Sequence, residues 1–156
     1  MTTTSRISRR SLLSVGAASF PFPTLIAALT GKAQAQEEAA MRFRFTFANQ
    51  EFTATLEDTA SARELFAMLP LALKISDYGN NEKIAYLPGK LSDDGSTRIN
   101  NEAVGDLCYY APWGNLVMYY ATYRWSRGLI RLGRLDGGIA PLMVRGEFPL
   151  RVERAS

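Results

Sequence analysis

The chain has 156 residues, enough for one domain, and 18 Lys and Arg against 15 Asp and Glu give it a formal charge of +3. Four of the basic residues and none of the acidic ones lie in residues 1–35, so the rest carries 14 basic against 15 acidic residues, a net charge of −1 that argues against a nucleic-acid-binding face. The chain has no histidine and one cysteine, which excludes a Ser-His-Asp or Cys-His catalytic arrangement, an imidazole metal site and an intrachain disulfide.

Residues 1–35 have the pattern of an export signal. A polar, basic start is followed by an apolar run over 12–29 and by an Ala-Gln-Ala cleavage pattern at 33–35. The arginine pair at 9 and 10 directly precedes the apolar run, as in the twin-arginine export motif. We therefore predict a twin-arginine-type signal peptide, recognition by the twin-arginine export machinery, and a periplasmic or secreted location. An ordinary secretory signal with two chance arginines is the alternative.

The apolar run of the leader is not expected to persist as a membrane span. Pro21 and Pro23 interrupt it, whereas a spanning helix needs about 20 consecutive apolar residues. Residues 36–41 are predicted to be a linker, and residues 42–154 a single domain.

The domain begins with alternating apolar and polar residues, which predict β-strands. The three phenylalanines of 42–47 share one face, and the alternation resumes over 51–57, so these two strands are expected to pair as a hairpin. Apolar residues at helical spacing then predict one helix over 59–69, capped at its start and ended by Pro70, that plugs an open end of the sheet.

The rest of the domain is predicted as short strands joined by turns. These strands span 71–76, 84–87, 106–111, 116–120, 128–135 and 147–153. In the strand over 128–135, alternation puts Arg131 and Arg134 on opposite faces. A polar loop is predicted over 77–83, and a basic and aromatic loop over 122–127. Many short strands with closely spaced turn signals predict a mainly β fold, either a closed barrel or a sandwich.

One predicted hairpin, Gly105–Tyr120, concentrates the aromatic residues, with one of the two tryptophans and four of the seven tyrosines. Pro112 cannot donate to a strand ladder and ends the first strand. Gly114 and Asn115 tolerate the positive φ of a tight turn. The run after the turn is apolar at nearly every position, which is typical of a strand covered on both faces.

Two stretches resemble the signatures of a bacterial cyclophilin-like domain family. They are Asp77–Pro88, with the sequence DYGNNEKIAYLP, and Gly105–Leu116, with the sequence GDLCYYAPWGNL. Leu132–Leu135 is similar to an Ile-Gly-Arg-Val segment of the same fold. The resemblance covers essentially the whole chain after the leader and implies a small closed cyclophilin-like β-barrel with one helix. It implies no particular reaction, because a fold does not determine function.

The first group of candidate ligand contacts lies on the loop over 77–83 and the strand after it. Tyr78, Glu82, Lys83 and Tyr86 are placed where barrels commonly hold ligand contacts. The alternative is a structural turn in which Glu82 and Lys83 are solvated.

The second group lies further along the chain. Trp113, at the hairpin tip beside Tyr110, predicts a recognition surface, or else folds back over the barrel mouth as core. Arg124, in the loop over 122–127, is a candidate contact for an anionic or aromatic ligand, unless that loop only protects a sheet edge. Cys108 is expected to be a buried, inert thiol, and Asp93-Asp94 a solvated pair. No metal site is predicted.

These features favour a binding or accessory module that holds a small molecule or a peptide segment. A peptidyl-prolyl isomerase with a non-standard site is the alternative, with Arg124 or Tyr110 donating a hydrogen bond to the twisted amide. True cyclophilins use an arginine in an Arg-x-x-x-x-Phe pattern, followed by glutamine-rich and histidine-bearing segments. We identify no such pattern in this chain, and no arginine is assigned to that role. A cofactor carrier is a third possibility that no cofactor motif supports, so no cofactor is predicted.

Overall fold

The computed structural model describes residues 40–93 and 97–156, so the predicted leader, nearly all of the predicted linker and Asp94 lie outside the described residues. The eight strands are β1 Arg42–Phe47, β2 Gln50–Leu56, β3 Leu71–Tyr78, β4 Glu82–Tyr86, β5 Asp106–Tyr110, β6 Asn115–Tyr119, β7 Leu129–Leu135 and β8 Phe148–Arg154. They form a closed barrel in the order β1-β2-β7-β5-β6-β4-β3-β8. Every pairing is antiparallel. The prediction of a mainly β fold, and of a barrel rather than a sandwich, is confirmed.

The interior of the barrel is apolar because the strands alternate as the sequence predicts. In β1 the three phenylalanines are buried and the residues between them are half-exposed. Phe45 stacks on Phe52 of the neighbouring strand, with ring centroids 4.9 Å apart. From β8, Leu150 and Val152 point into the same core. Each such side chain contributes about 2 kcal/mol through burial, so the interior supplies most of the stability.

One α-helix, α1 Ala60–Ala67, packs onto this core. Thr59 is its N-cap, and its Oγ1 accepts a hydrogen bond from the Ala62 amide at 3.2 Å. Ala62 and Leu65 are buried in the interior cluster. The helix begins one residue later and ends two residues earlier than predicted. A short 3-10 helix, Ala140–Met143, adds Leu142 to the same core. None of the helices in the described ranges is both long and apolar enough to cross a membrane.

The prediction of a polar loop over 77–83 is wrong. Strand β3 continues to Tyr78 and β4 begins at Glu82, so the turn between them is short. Asp77 and Lys83 are cross-strand partners in this hairpin. Polar residues occur in these strands because one face of the hairpin is exposed and because the buried Lys83 is neutralised by the partly buried Asp77.

Strand β7 carries an extra residue, Leu132, opposite β5. Because such a bulge breaks the alternation of side chains, the prediction that Arg131 and Arg134 lie on opposite faces is wrong. Both reach one carboxylate: the Arg134 Nε donates to Asp106 Oδ1 at 2.7 Å, and the Arg131 Nη1 lies 3.8 Å from Asp106 Oδ2.

Gly133 marks a very close approach of β7 to β2. A Cβ atom at this position would lie 2.1 Å from the Thr55 carbonyl oxygen, a distance that backbone atoms cannot relieve without moving apart. Glycine is therefore required here by contact with the neighbouring strand.

A second apolar cluster lies outside the barrel, on the outer face of β4, β6, β5 and β7. We call it the outer layer; its buried members are Ile84, Ile99, Cys108, Val117, Tyr119 and Leu129. Tyr110, Tyr123 and Trp125 pack against it. Since β6 lies between this layer and the interior, all of its residues are buried, which confirms the prediction of a strand covered on both faces.

Candidate functional site

A cavity of about 280 Å³ opens at one side of the outer layer, and we call it the outer pocket. Strands β3 to β6, the tip of the β5–β6 hairpin and the start of β7 all contribute to its wall. It is lined by Tyr78, Glu82, Tyr110, Trp113, Asn115, Val117, Tyr119, Ser126 and Leu129. The site is therefore built mainly on strands, which hold side chains more rigidly than loops do.

Three aromatic rings form one wall of the outer pocket. The Trp113 ring centroid lies 5.2 Å from that of Tyr78 and 5.5 Å from that of Tyr110, with interplanar angles of 84° and 78°. Trp113 is 45 % exposed although it is packed between these rings. The turn is fixed by bonds from the Trp113 and Gly114 amides to the Tyr110 carbonyl, at 3.2 and 2.9 Å, and by the positive φ of Gly114. The hairpin therefore holds an indole in place at the pocket rim.

The outer pocket contains one carboxylate, that of Glu82. Glu82 at the start of β4 is the cross-strand partner of Tyr119 at the end of β6. Partial burial raises the pKa of Glu82 above its usual range, although the hydrogen bond with the Tyr119 side chain acts in the opposite direction. Burial also raises the pKa of Tyr119, and the neighbouring Glu82 charge adds to the effect. This carboxylate is therefore incompletely hydrated, and a positively charged partner would stabilise its ionised form.

Asn115 supplies an acceptor that no described residue satisfies. Its side chain lines the outer pocket, and the residue is only 1 % exposed. The Nδ2 donates to the Leu116 carbonyl at 3.0 Å, but among the described residues nothing donates to the buried Oδ1. Since buried polar atoms in folded proteins nearly always have a partner, this oxygen is an unsatisfied acceptor in the wall of the outer pocket.

The chemical character of the outer pocket follows from these groups. Aromatic faces, a carboxylate and an unpaired amide oxygen line it, and in the described part of the chain no lysine or arginine does so. Such a lining accepts hydrogen bonds and attracts positive charge. Among the described residues, it offers no basic side chain for an anion.

Four of the predicted contact residues, Tyr78, Glu82, Tyr110 and Trp113, come together in the outer pocket. Tyr86 is 56 % exposed at the end of β4 and is not part of its lining. The remaining lining residues were not singled out from the sequence: Asn115, Val117, Tyr119, Ser126 and Leu129. The strand period was the available signal, because Asn115, Val117 and Tyr119 alternate along β6.

Lys83 lies away from the outer pocket, inside the barrel. It is 0 % exposed, its Nζ donates to Asp77 Oδ1 at 2.8 Å and it lies 5.7 Å from the centroid of the Phe47 ring. The prediction that places Lys83 on a loop is therefore wrong. Partial burial raises the pKa of Asp77, but the hydrogen bonds from Lys83 and from the Gly146 amide outweigh it and hold the pKa low. Lys83 and Asp77 therefore form a structural ion pair.

Arg124 is exposed on the loop after β6 and does not line the outer pocket. Its neighbours on this loop turn inward: Trp125 Nε1 donates to the Leu129 carbonyl at 2.9 Å, and the Tyr123 ring stacks on Tyr119 at 3.6 Å. Because the barrel is closed, the alternative of a loop that protects a sheet edge is wrong. The loop instead covers the outer layer.

Asp106 fastens the loops that cover the outer layer. It is 0 % exposed, and its carboxylate accepts hydrogen bonds from the Tyr123 hydroxyl at 2.7 Å and the Ala103 amide at 3.0 Å, besides its contacts with β7. Burial raises the pKa of the Tyr123 hydroxyl. Cys108 is buried beside it, as predicted, and burial raises the pKa of its thiol to about 12, which disfavours the reactive thiolate.

Two other cavities, of about 230 and 340 Å³, each contain a polar group that already has a partner in the protein. The first is lined by Arg131, which donates to Glu57 at 2.6 Å and to Asn101 at 2.9 Å. The second is lined by Tyr109, whose hydroxyl accepts from the Leu91 amide at 3.1 Å. In the described ranges, no three acidic or cysteine side chains are grouped as a metal site requires. The outer pocket is thus the better candidate.

Comparison with known proteins identifies the fold. The model of the Cyclophilin-like family matches residues 45–153. The solution structure of a hypothetical protein from Archaeoglobus fulgidus superposes with a TM-score of 0.63 at 19 % identity, over 78 % of this chain and 99 % of that one. A comparison with curated proteins found no match. At such identity the structural likeness concerns the fold alone.

Proposed function

We infer that this chain, which belongs to the cyclophilin-like family, is a binding module whose outer pocket holds a small organic molecule or a short peptide segment. The observation that carries the inference is the buried Asn115 Oδ1, which has no hydrogen-bond donor among the described residues. Leaving such an acceptor unpaired costs about 1–3 kcal/mol, which a ligand recovers by donating to it.

The surroundings of Asn115 support binding rather than structural filling. The cavity of about 280 Å³ is somewhat below the size of typical drug-binding pockets and suits a compact ligand. Trp113 is held at its rim with nearly half of its surface exposed, where a ligand would cover it. Exposed tryptophan in a prearranged position is typical of binding sites.

The proposal places this module outside the cytoplasm. The twin-arginine pattern of residues 1–35 supports export to the periplasm or beyond, by a pathway that carries folded proteins. A domain of this kind needs no disulfide, because its closed sheet and interior core stabilise it.

Prolyl isomerisation remains the second candidate and has less support. The interpretation that the Arg-x-x-x-x-Phe pattern of cyclophilins is absent is wrong, because this spacing occurs at Arg42 and Phe47. However, Phe47 points into the interior, and Arg42 binds Asp136 at 3.1 Å, so the two residues share no cleft. We expect no acceleration of isomerisation in a proline-peptide assay at micromolar protein, and clear catalysis there would reverse this ranking.

A fragment screen read by NMR tests the binding proposal. The protein has two indole N–H groups, and that of Trp125 is already bonded to Leu129, so it serves as an internal reference for Trp113. Neutral, cationic and anionic fragments and short peptides would be added to the full chain. We expect the Trp113 indole signal, assigned with Trp113→Phe, to move with at least one class. A library without any such hit would overturn the proposal.

A further inference from the structure

We propose that the outer pocket recognises an N-methylated ammonium group that keeps at least one N–H, as a free methylamine ion or the head group of a larger amine. The inference rests on the proposed binding function and names the chemical class of its ligand. Three features of the outer pocket lead to it separately: its rings, its carboxylate and its unpaired acceptor.

The rings present faces of different orientation along one wall of the outer pocket. Tyr78 and Tyr110 each stand nearly perpendicular to the Trp113 indole, at 84° and 78°. Ring faces in different orientations contact the methyl groups of a compact cation from more than one side. Positive charge spread over methyl groups is attracted by the faces of such rings, and tryptophan is the strongest of them.

The carboxylate of Glu82 selects charge. Among the described residues the lining holds no cation that would neutralise it. Its ion pair with an incoming ammonium would form where the carboxylate is partly buried beside Tyr119, which strengthens the attraction. The same charge repels anions, so phosphates and carboxylates are poor candidates for this site.

The Asn115 oxygen selects a donor. The residue lines the outer pocket and is almost fully buried, and its Nδ2 donates to the Leu116 carbonyl. A fully substituted ammonium carries no N–H and would leave Oδ1 unpaired, whereas trimethylammonium brings one donor. The outer pocket should therefore bind trimethylammonium more tightly than tetramethylammonium, which carries one more methyl group and no N–H.

The test compares three probes on the full chain: trimethylammonium, tetramethylammonium and tert-butanol, which is neutral and of similar shape. We expect trimethylammonium to bind in the millimolar range, as suits so small a ligand, and the other two at least tenfold more weakly. Binding is read from the Trp113 indole shift. Glu82→Gln should weaken trimethylammonium binding at least tenfold. Glu147→Gln removes an exposed carboxylate that pairs with Lys74 and serves as the matched control, with no change expected.

Each other outcome contradicts a different statement. If tert-butanol binds as tightly as trimethylammonium, or if Glu82→Gln has no effect, the cation preference is overturned while the binding function stands. Tetramethylammonium binding equal to that of trimethylammonium would overturn the role of Asn115. If trimethylammonium leaves the Trp113 signal unchanged while fragments of another class move it, this inference fails alone. If no probe or fragment moves it, the proposed function fails as well.

Discussion

The barrel interior and the outer layer are both buried and apolar, yet they treat polar groups differently. In the interior the buried Lys83 is paired with Asp77, and the Tyr109 hydroxyl has a donor. At the margin of the outer layer, Glu82 is half-buried without a cation, and Asn115 Oδ1 has no donor among the described residues. These polar groups of the interior are thus paired without a ligand, whereas those of the outer pocket are not.

This difference shows that the two faces of one small sheet have different roles: the inner face forms the core, and the outer face forms the candidate site. Strand β6 presents one set of side chains to the interior and the alternate set, which includes Asn115 and Tyr119, to the outer pocket. A closed barrel needs its inner face for the core, so its outer face is free to carry incompletely satisfied groups. Such groups persist in a native structure only when the rest of the fold is stable enough to hold them.

The largest effect should come from the interior. Phe45→Ala removes a ring that is fully buried and stacked on Phe52. We expect the free energy of unfolding to fall by about 3–5 kcal/mol, measured with a chemical denaturant. The matched control is Tyr86→Ala, an exposed aromatic whose loss should change stability by less than about 0.5 kcal/mol. Similar effects of the two substitutions would contradict the assignment of the core.

A slightly smaller effect should follow from breaking the interior ion pair. Asp77→Ala leaves the buried Lys83 ammonium without its carboxylate, and we expect a loss of about 3 kcal/mol in unfolding free energy. The double variant Asp77→Ala, Lys83→Met removes both charges and should recover most of that loss. A double variant as unstable as the single one would show that the cost lies elsewhere than in the unpaired charge.

The outer layer should be more tolerant. Asp106→Ala removes the carboxylate that binds Tyr123 and Arg134, but these partners are within reach of water, so we expect a loss of about 2 kcal/mol. Hydrogen exchange should increase chiefly in the loop that carries Tyr123 and much less in β1. Uniformly faster exchange in both segments would mean that the two regions unfold together.

Trp113→Ala should distinguish the contribution to ligand binding from the contribution to stability most clearly. The side chain is nearly half exposed, so we expect less than about 1 kcal/mol change in stability. The affinity for trimethylammonium should nevertheless fall at least tenfold, because the central ring of the aromatic wall is lost. Calorimetric titration measures this directly. Unchanged affinity would remove Trp113 from the site.

The smallest effect concerns pH. The raised pKa of Glu82 means that folding favours its protonated form, so its contribution to stability declines slightly as pH rises through that pKa. Trimethylammonium affinity should change in the opposite sense, because the carboxylate that binds it becomes ionised. The other ionisable groups that line the pocket are Tyr78, Tyr110 and Tyr119. A titration between about pH 4 and 7 should show this rise, and Glu82→Gln should abolish it.

Sequence reasoning predicts this fold well where strands have one polar face. The alternating phenylalanines of β1 and the turn chemistry around Gly114 indicate their structures directly. It fails for Lys83, because a buried lysine looks like a loop residue until its partner across the hairpin is known. It also fails after Leu132, since strict alternation was assumed although the isolated Gly133 in this strand is typical of a bulge.

The candidate site was predicted only in part, for a related reason. Aromatic residues at turns and strand ends stand out, so Tyr78, Tyr110 and Trp113 were identified. Asn115 looks like an ordinary turn residue, and its unpaired oxygen is a property of the folded neighbourhood. Tyr119 belongs to an apolar run whose outward face is covered by a loop distant in sequence. Which face a loop covers is decided by tertiary contacts.

A crystal structure of the protein with trimethylammonium tests the central claim most directly. We expect the ion in the outer pocket, with its nitrogen about 3 Å from Asn115 Oδ1 and its methyl groups against the Trp113 ring. An ion bound at another surface, with Asn115 Oδ1 still unpaired, would contradict the claim that this face of the barrel is the ligand site.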